Sequence, residues 1–275
     1  MRRLLVITGG HRVAMDDFLG CIASICTDRG WVWAHATQPT AQQWLRPEFA
    51  GQWDAILLHD LPGLHLKRGV PPTPVGPDPE VAAALVELLK TGQPLVVLHH
   101  AIAAWPGWEG WAEAIGGRFL YAPGRLRGQD LPSSGYRKGR FTISPTAPEH
   151  PVCAGVEPFE VDDELYFAPY LTDRITPLLA RDADLDGALY QDTFDEVSNG
   201  SSTGVTCAGR GQASPLMGWT TVAGHSPVVT LLMGDGPSTF ENPMFRQLLG
   251  NAIDWVNGHD ARAAALAKPT PVPLP

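Results

Sequence analysis

Residues 4–26, LLVITGGHRVAMDDFLGCIASIC, decide the class of fold. Positions 4–8 form an apolar run, which is typical of a strand buried on both faces of a parallel sheet. Gly9-Gly10 ends the run, and the apolar residues then recur at helical spacing over positions 15–26. The stretch therefore predicts a strand followed by a helix, which is the repeating unit of α/β sheets.

The same alternation continues through the first third of the chain. Further strands are predicted at residues 31–36, 55–59 and 95–98, and a helix at about 79–91, which Gly92 ends. Parallel strands joined by such helices form right-handed crossovers. We therefore expect an α/β fold with a doubly wound, mostly parallel sheet flanked by helices.

The rest of the chain has a different character. Polar and apolar residues alternate over residues 159–182, which predicts antiparallel additions to the sheet. Residues 183–213 are rich in Asp, Gly and Ser and are expected to form a long mobile excursion with at most one strand. The remaining predictions are short strands at 140–143, 215–222 and 228–233 and an amphipathic helix at 242–256.

We expect residues 1–258 to form one α/β domain, followed by a Pro- and Ala-rich tail at 259–275. The tail has no core-forming pattern, so it is expected to pack along the surface or to join a neighbouring subunit. The Pro-rich tail, together with tryptophans expected to be exposed, makes a homodimer plausible.

Composition narrows the classes of partner. The formal net charge is −9 and the basic residues are scattered, which argues against nucleic acid or an anionic membrane as partner. No stretch reaches the roughly 20 apolar residues that span a bilayer, and the short apolar run of residues 1–11 is interpreted as a strand rather than a secretion signal. The four cysteines have no metal-site or disulfide-framework spacing, which favours reduced thiols and a cytoplasmic location. They are Cys21, Cys26, Cys153 and Cys207.

Polar side chains follow three of the predicted strands. In open parallel sheets, ligands bind outside the carboxyl ends of the strands. A single histidine there is usually structural, but three strands that bring an imidazole to one edge predict a small-molecule site. The residues concerned are His11, His59, Asp60, His99 and His100.

His99 and His100 cannot both face one pocket while the chain is extended, because neighbouring side chains of a strand point to opposite faces. The following residues, AIAAW, indicate a turn into a helix. We expect His99 to face the cleft and His100 to hydrogen-bond a neighbouring backbone group.

The segment DDELY at 162–166 places three adjacent carboxylates in an otherwise apolar strand. Burying them is costly unless cations, hydrogen bonds or a metal compensate. One interpretation is a solvated edge strand. In the other, Glu164 points inward with Tyr166 and serves as general base or ligand, while Asp163 faces outward.

Two further interpretations stay open. His11, His59, His99 and Glu164 would form a reasonable zinc or manganese set, although no HExxH, HxH or CxxC spacing supports it. Trp105, Trp108 and Trp111 recur at helical spacing and could be core, although Trp105 is close enough to the strand end to contact a sugar ring. Nucleotide binding is not indicated, because GxGxxG and GxxxxGK[ST] are both absent, and so is GxSxG.

Several blocks of the chain match one known family in order. They are LLVITGGH, WDAILLHD, GQPLVVLHHAIAAW, EHPVCAGVEPFEVDDELY and FENPMFRQLLGNAIDWV, which together extend from about residue 3 to 257. On these blocks the chain resembles the ThuA-like (trehalose-utilisation) proteins, which share the class I glutamine amidotransferase-like fold.

The resemblance implies a single flavodoxin-like domain and a role in sugar or keto-sugar catabolism. True class I amidotransferases carry a cysteine at a strand-to-helix elbow, in the region that LVVLHHAIAAW occupies here, so glutamine hydrolysis through a thioester is not expected. Many relatives also have Gly-His after the closing strand, where this chain has Gly234-Asp235.

The leading hypothesis is an enzyme that acts on a carbohydrate, a sugar or keto-sugar, by proton transfer, as in isomerisation, elimination or hydrolysis. His99 and Glu164 are predicted as the general acid and base. A bound divalent metal would turn the same residues into ligands. The rival hypothesis is a non-catalytic sugar-binding or regulatory module. The residues predicted to line or polarise the substrate are His11, His59, Asp60, His100, Trp105, Tyr166 and Asp235.

Overall fold

Ten of the fourteen strands join in one sheet in the computed structural model, which describes residues 1–275. The other four strands form two small hairpins, β4 with β5 and β7 with β8. The strands are β1 (Arg2–Gly9), β2 (Trp31–Thr37), β3 (Ala55–Asp60), β4 (Leu64–His65), β5 (Thr73–Pro74), β6 (Leu95–Leu98), β7 (Gly124–Leu126), β8 (Gln129–Leu131), β9 (Gly135–Pro145), β10 (Phe159–Phe167), β11 (Thr176–Asp182), β12 (Gln191–Asp192), β13 (Leu216–Ala223) and β14 (Ser226–Leu231).

Seven α-helices accompany the sheet, and α1 and α6 pack against each other. None of the helices combines the length and the apolar character needed to cross a membrane. They are α1 (Met15–Arg29), α2 (Pro79–Lys90), α3 (Glu109–Ile115), α4 (Thr193–Asn199), α5 (Pro237–Glu241), α6 (Pro243–Asn257) and α7 (His259–Ala267).

The parallel part of the sheet has the order β2-β1-β3-β6-β14. This is the 2-1-3-4-5 order of flavodoxin-like proteins, whose ligands bind at the carboxyl ends of the strands. The apolar runs in β1, β3 and β6 are buried along their whole length, as strands covered on both faces must be. The predicted doubly wound α/β fold is thus confirmed.

The antiparallel additions are also confirmed, and they are wider than the sequence indicated. Beyond β14 the sheet continues through β13, β11, β9 and β10, all antiparallel. Only residues 140–143 of β9 were predicted, whereas β9 pairs with β10 from Gly135 to Ile143. Because the β9 sequence contains Gly and charged residues, its partner strand rather than its own propensity makes it a strand.

The excursion at 183–213 contains the predicted single strand, β12, and also helix α4, which the sequence did not indicate. Asp192 links this segment to the rest of the chain. Its carboxylate accepts hydrogen bonds from the backbone N–H of Asp195, from the Ser133 hydroxyl and from the Arg210 guanidinium. The α4 N-terminus is therefore capped and tied to its surroundings by one buried carboxylate.

The tail packs on its own chain. Helix α7 contacts α6 and β14, and Thr270 exchanges two backbone hydrogen bonds with Gly224. Farther on, Val272 is buried and the Pro273 carbonyl accepts a hydrogen bond from the Trp108 indole at 2.7 Å. The tail thus lies along the surface of its own chain, which is one of the two placements expected for it.

Candidate active site

The chain makes a sharp turn directly after β6. His99 has a φ of 51°, the left-handed region that non-glycine residues rarely enter. Strand alternation therefore stops at Leu98. The His99 side chain is fully buried, and its Nδ1–H donates to the Leu232 carbonyl at 2.7 Å. His100 faces the cavity instead. The predicted turn into a helix is present, as a short 3₁₀ helix over His99–Ala103, but the expected orientation of the two histidines is wrong because the left-handed backbone at His99 reverses it.

A cavity of about 630 Å³ lies at the carboxyl ends of the parallel strands. This volume is within the range of pockets that enclose small ligands. Residues from widely separated parts of the chain line it. Those with aromatic or titratable side chains are His11, Arg12, Arg68, His100, Phe119, Tyr121, Tyr136, Glu164, Tyr166 and Glu196.

The acidic segment of β10 contributes one carboxylate to this cavity. Glu164 lines the cavity and its side chain is 10% exposed. Asp163 does not face outward as expected. It is buried and accepts hydrogen bonds from the backbone N–H of Gly234 at 2.8 Å and from the Thr239 hydroxyl at 2.5 Å. At Asp163 and Glu164 both faces of this strand are therefore covered, one by the cavity wall and one by the segment after β14, whereas Glu160 and Asp162 are exposed.

Glu164 is the centre of a small network. Its Oε2 lies 3.7 Å from Nε2 of His99 and 3.7 Å from Nε2 of His100. The Tyr166 hydroxyl donates to the same oxygen at 3.3 Å and lies 3.1 Å from His99 Nε2. One carboxylate oxygen is thus surrounded by two imidazoles and a phenol.

Lys138 pairs with the other oxygen of Glu164 and with one oxygen of Asp235. Its Nζ lies 3.3 Å from Glu164 Oε1 and donates to Asp235 Oδ2 at 2.8 Å. The second oxygen of Asp235, Oδ1, lies 3.7 Å from His99 Nε2. Sequence reasoning missed Lys138, because only the register of β9 against β10, which pairs Glu164 with Lys138, brings it to the site.

Burial and the neighbouring charges shift the pKa values of the site residues in opposite directions. Burial alone would lower the pKa of His99, but the neighbouring carboxylates, first of all Asp235, raise it to about 9. The ion pair with His99 holds the pKa of Asp235 well below its usual range. Burial raises the pKa of Glu164. For His100, burial and then the charge of His99 lower the pKa far below its usual value.

The other predicted residues differ in their relation to the cavity. His11 stacks on His100, with ring centroids 3.5 Å apart, and burial lowers its pKa to about 4. His59 and Asp60 are buried and do not line the cavity, and the His59 ring centroid lies 6.2 Å from that of His99. Trp105 is also buried and away from the cavity.

The three tryptophans do not share one helical face. Trp105 has a φ of 50° and α3 begins only at Glu109, so the helical spacing is interrupted. Trp108 and Trp111 are buried, and the Trp111 indole donates to the Ala101 carbonyl at 2.9 Å. Core packing accounts for these residues, and the aromatic surface of the cavity comes instead from Phe119, Tyr121, Tyr136 and Tyr166.

Four donor atoms meet beside the cavity. All four lie within 4.8 Å of one another, a grouping that could hold a metal ion. His99, His100, Glu164 and Asp235 contribute one donor atom each. The metal set considered from the sequence included His11 and His59. The structure groups His99 and Glu164 with His100 and Asp235 instead.

Together, this fold and site define a flavodoxin-like α/β protein with a carboxylate–imidazole cavity at the carboxyl ends of its parallel strands. The family model ThuA, described as trehalose utilisation, matches residues 64–256. The chain belongs to this family, which links it to trehalose utilisation. No curated protein matches the chain in sequence.

Solved structures support the same fold. A ThuA-like protein from Bacteroides uniformis is similar over 93% of this chain and 91% of its own, with a TM-score of 0.61 at 16% identity. A ThuA-like protein from Parabacteroides merdae is similar over 93% of this chain and 90% of its own, with a TM-score of 0.58 at 16% identity. At this identity the likeness concerns the fold alone.

Proposed function

We propose that this protein is an enzyme of carbohydrate catabolism that moves a proton on a sugar or keto-sugar. The observation that carries the proposal is the position of Glu164. Its carboxylate lies in the wall of the cavity, 3.7 Å from the His100 imidazole and 3.3 Å from the Tyr166 hydroxyl. A carboxylate, an imidazole and a phenol that all reach one ligand cavity are the groups that general acid–base catalysis uses.

In this proposal Glu164 is the general base, and it takes a proton from a hydroxyl group or from a carbon next to a carbonyl. His100 also lines the cavity and is the group that polarises the substrate oxygen. His99 is fully buried, so its role is to position the Glu164 carboxylate rather than to touch the substrate.

The walls of the cavity favour a carbohydrate. Four aromatic rings line it, which suits the apolar face of a sugar ring, and the phenol hydroxyls and Glu196 offer hydrogen bonds to hydroxyl groups. They are the rings of Phe119, Tyr121, Tyr136 and Tyr166. Membership of the trehalose-utilisation family points to the same class of substrate.

Glutamine hydrolysis through a thioester is not part of the proposal. The elbow after β6 carries His99, and all four cysteines are buried away from the cavity. We also propose a cytoplasmic location, which the four free thiols favour.

A matched pair of variants on β10 tests the role of Glu164. Glu164→Gln removes the base, whereas Glu160→Gln changes an exposed residue of the same strand, 3.5 Å from Arg140. With a panel of ketoses and oxidised glucosides in D₂O, proton NMR measures both turnover and exchange of substrate C–H. We expect Glu164→Gln to lower the rate about 100-fold or more and Glu160→Gln to change it less than about twofold.

The outcomes separate the hypotheses. A Glu164→Gln protein that keeps more than about a tenth of the wild-type rate contradicts the assignment of the base. If wild-type protein binds sugars, as saturation-transfer NMR would detect, but neither exchanges nor converts any of them, the chain is a sugar-binding module and the enzymatic proposal is wrong.

A further inference from the structure

Beside the cavity, the four donor atoms form what we call the donor cage, made of Nε2 of His99, Nε2 of His100, Oε2 of Glu164 and Oδ1 of Asp235. We propose that the donor cage binds one divalent transition-metal ion, zinc or manganese. All four residues offer atoms within 4.8 Å of one another, and three of the pairs are 3.7 Å apart. Four ligands about 2.1 Å from a tetrahedral ion lie about 3.4 Å apart, so little movement would close the cage.

The imidazole of His99 is already oriented as a ligand. Its Nδ1–H donates to the Leu232 carbonyl at 2.7 Å, so Nε2 is directed toward the cage and offers its lone pair there once an ion displaces its proton. A backbone carbonyl on the far nitrogen is the usual means by which metal-binding histidines are held in one tautomer. The left-handed backbone at His99 brings both this ring and that of His100 to the cage.

Glu164 and Asp235 each direct one carboxylate oxygen at the Lys138 ammonium and the other at the cage. Lys138 Nζ takes Oε1 of Glu164 at 3.3 Å and Oδ2 of Asp235 at 2.8 Å, and it leaves the opposite oxygen of each free to face the histidines. Lys138 therefore fixes both carboxylates from outside the cage. The Tyr166 hydroxyl, 3.1 Å from His99 Nε2, can keep its bond to Glu164 when that nitrogen takes an ion.

The loop that carries Asp235 is also anchored. Asp163 accepts hydrogen bonds from the backbone N–H of Gly234 at 2.8 Å and of Asp235 at 3.2 Å. This buried carboxylate thereby sets the position of the fourth donor. Support of ligands by a surrounding layer of hydrogen bonds is characteristic of built metal sites.

The donor set selects the type of ion. Two imidazoles and two carboxylates suit zinc or manganese better than calcium or magnesium, which prefer oxygen ligands alone. Two carboxylates offset the charge of a divalent ion, and Lys138 adds one positive charge on their outer side. His100 and Glu164 line the cavity, so an ion between them would be within reach of a ligand there. Only its use as a Lewis acid on a sugar carbonyl rests on the proposed function.

Titration of chelator-treated full-length protein with ZnCl₂ and with MnCl₂ tests the donor cage, with calorimetry for affinity and plasma mass spectrometry for stoichiometry. We expect one ion per chain. Asp235→Asn and Glu164→Gln should each weaken binding at least about tenfold. The control is Asp260→Asn, because Asp260 and His259 form an exposed pair 3.2 Å apart outside the cage, and this variant should bind as tightly as wild type.

Cobalt(II) gives a second readout on wild-type protein that does not depend on how a variant folds. Binding in the cage predicts intense visible absorption bands of a four-coordinate ion, which zinc then displaces. Absence of a stoichiometric ion, or equal affinity in the cage variants and wild type, overturns the inference. Metal-free protein that still converts keto-sugars would overturn the metal's role and leave the proposed function standing. Stoichiometric metal binding without any turnover would support the donor cage and contradict the proposed enzymatic function.

Discussion

Asp60 lies at the end of β3 and is almost completely buried, with only one of its oxygens bonded. That oxygen accepts a hydrogen bond from the Gln38 side chain at 2.7 Å, and the other has no partner. Burial raises the pKa of Asp60 from 3.8 to about 7. A raised folded-state pKa means that the folded chain binds this proton more tightly than the unfolded chain does. The contribution of Asp60 to stability is therefore present at low pH and is lost as the pH rises from about 4 to about 7.

Asp60→Asn keeps the shape of the side chain and removes the titration. We expect the variant to gain stability relative to wild type as the pH rises through this window, by at most about 1.4 kcal/mol per pH unit. Urea unfolding at several pH values between 4 and 8 measures the difference. Parallel profiles of wild type and variant would contradict the assignment, and Asp260→Asn, at an exposed carboxylate, should give a profile parallel to wild type.

Asp163 offers a second test, because its neighbour in the chain is a natural control. Its carboxylate satisfies the N–H groups of Gly234 and Asp235 and the Thr239 hydroxyl. Asp163→Ala would leave these donors without their partner, at about 1–3 kcal/mol for each group left buried and unpaired. We expect the free energy of unfolding to fall by at least about 2 kcal/mol.

The control is Asp162→Ala, because the Asp162 side chain is exposed and makes no hydrogen bond or ion pair. This change should stay within about 0.5 kcal/mol. Denaturant unfolding of both variants decides the matter. Equal losses would mean that the buried hydrogen bonds of Asp163 contribute nothing to stability.

These residues also show the limit of sequence reasoning at this scale. The sequence identifies the polar residues of the strand ends, since polar groups in apolar runs are conspicuous. It does not predict their direction. The alternation rule fails at His99 because the backbone leaves the extended region there, and Asp163 turns toward partners more than 70 residues away along the chain.

At the scale of elements, a strand with a buried apolar run could be predicted from the sequence, whereas a strand that depends on its neighbour for pairing could not. Strand β6 has the predicted bounds, because four buried apolar residues between a helix end and a histidine pair leave little choice. Strand β9 has no such pattern and depends on β10. Its register brings Lys138 opposite Glu164, which explains why this lysine could not be recognised as a site residue.

The tail gives a prediction about elements. Val272 is 8% exposed and lies beside Pro273, whose carbonyl accepts the Trp108 indole, whereas Leu274 is 58% exposed. We expect Val272→Ser to lower the free energy of unfolding by about 1–2 kcal/mol and Leu274→Ser to leave it unchanged. Thermal unfolding, with tryptophan fluorescence as a second probe, measures both. A tail that only lies loosely on the surface would give two equal, small effects.

At the scale of the whole molecule, the cavity is assembled from parts that no local pattern connects. The turns after β1 and β6 supply histidines, β10 supplies Glu164, and the excursion supplies Glu196 and Thr193. The parallel core could be predicted from buried apolar runs. The aromatic walls could not, because they come from segments whose positions only the complete fold determines.

Whether the excursion unfolds together with the sheet can be tested through the cysteines, all of which are free and buried. Burial raises the pKa of the Cys21 thiol to about 11 and that of Cys26 to about 12, so neither reacts until the chain opens. Cys207 lies in the excursion, which joins the sheet through the two-residue strand β12, paired with β9, while the Arg210 guanidinium bonds Asp192 and the Ser133 carbonyl. Segments of this kind open more readily than a sheet core.

We therefore expect Cys207 to react with a thiol reagent faster than Cys21 and Cys26 under native conditions, and all four thiols to react at once in guanidinium. Mass spectrometry of labelled peptides gives the rate at each position. Faster labelling of Cys207 would mean that the wall of the cavity carrying Glu196 opens independently of the sheet, which would give a ligand a route into the site. Equal protection of Cys207 and the helix thiols would contradict this and would make the excursion part of one cooperative unit with the sheet.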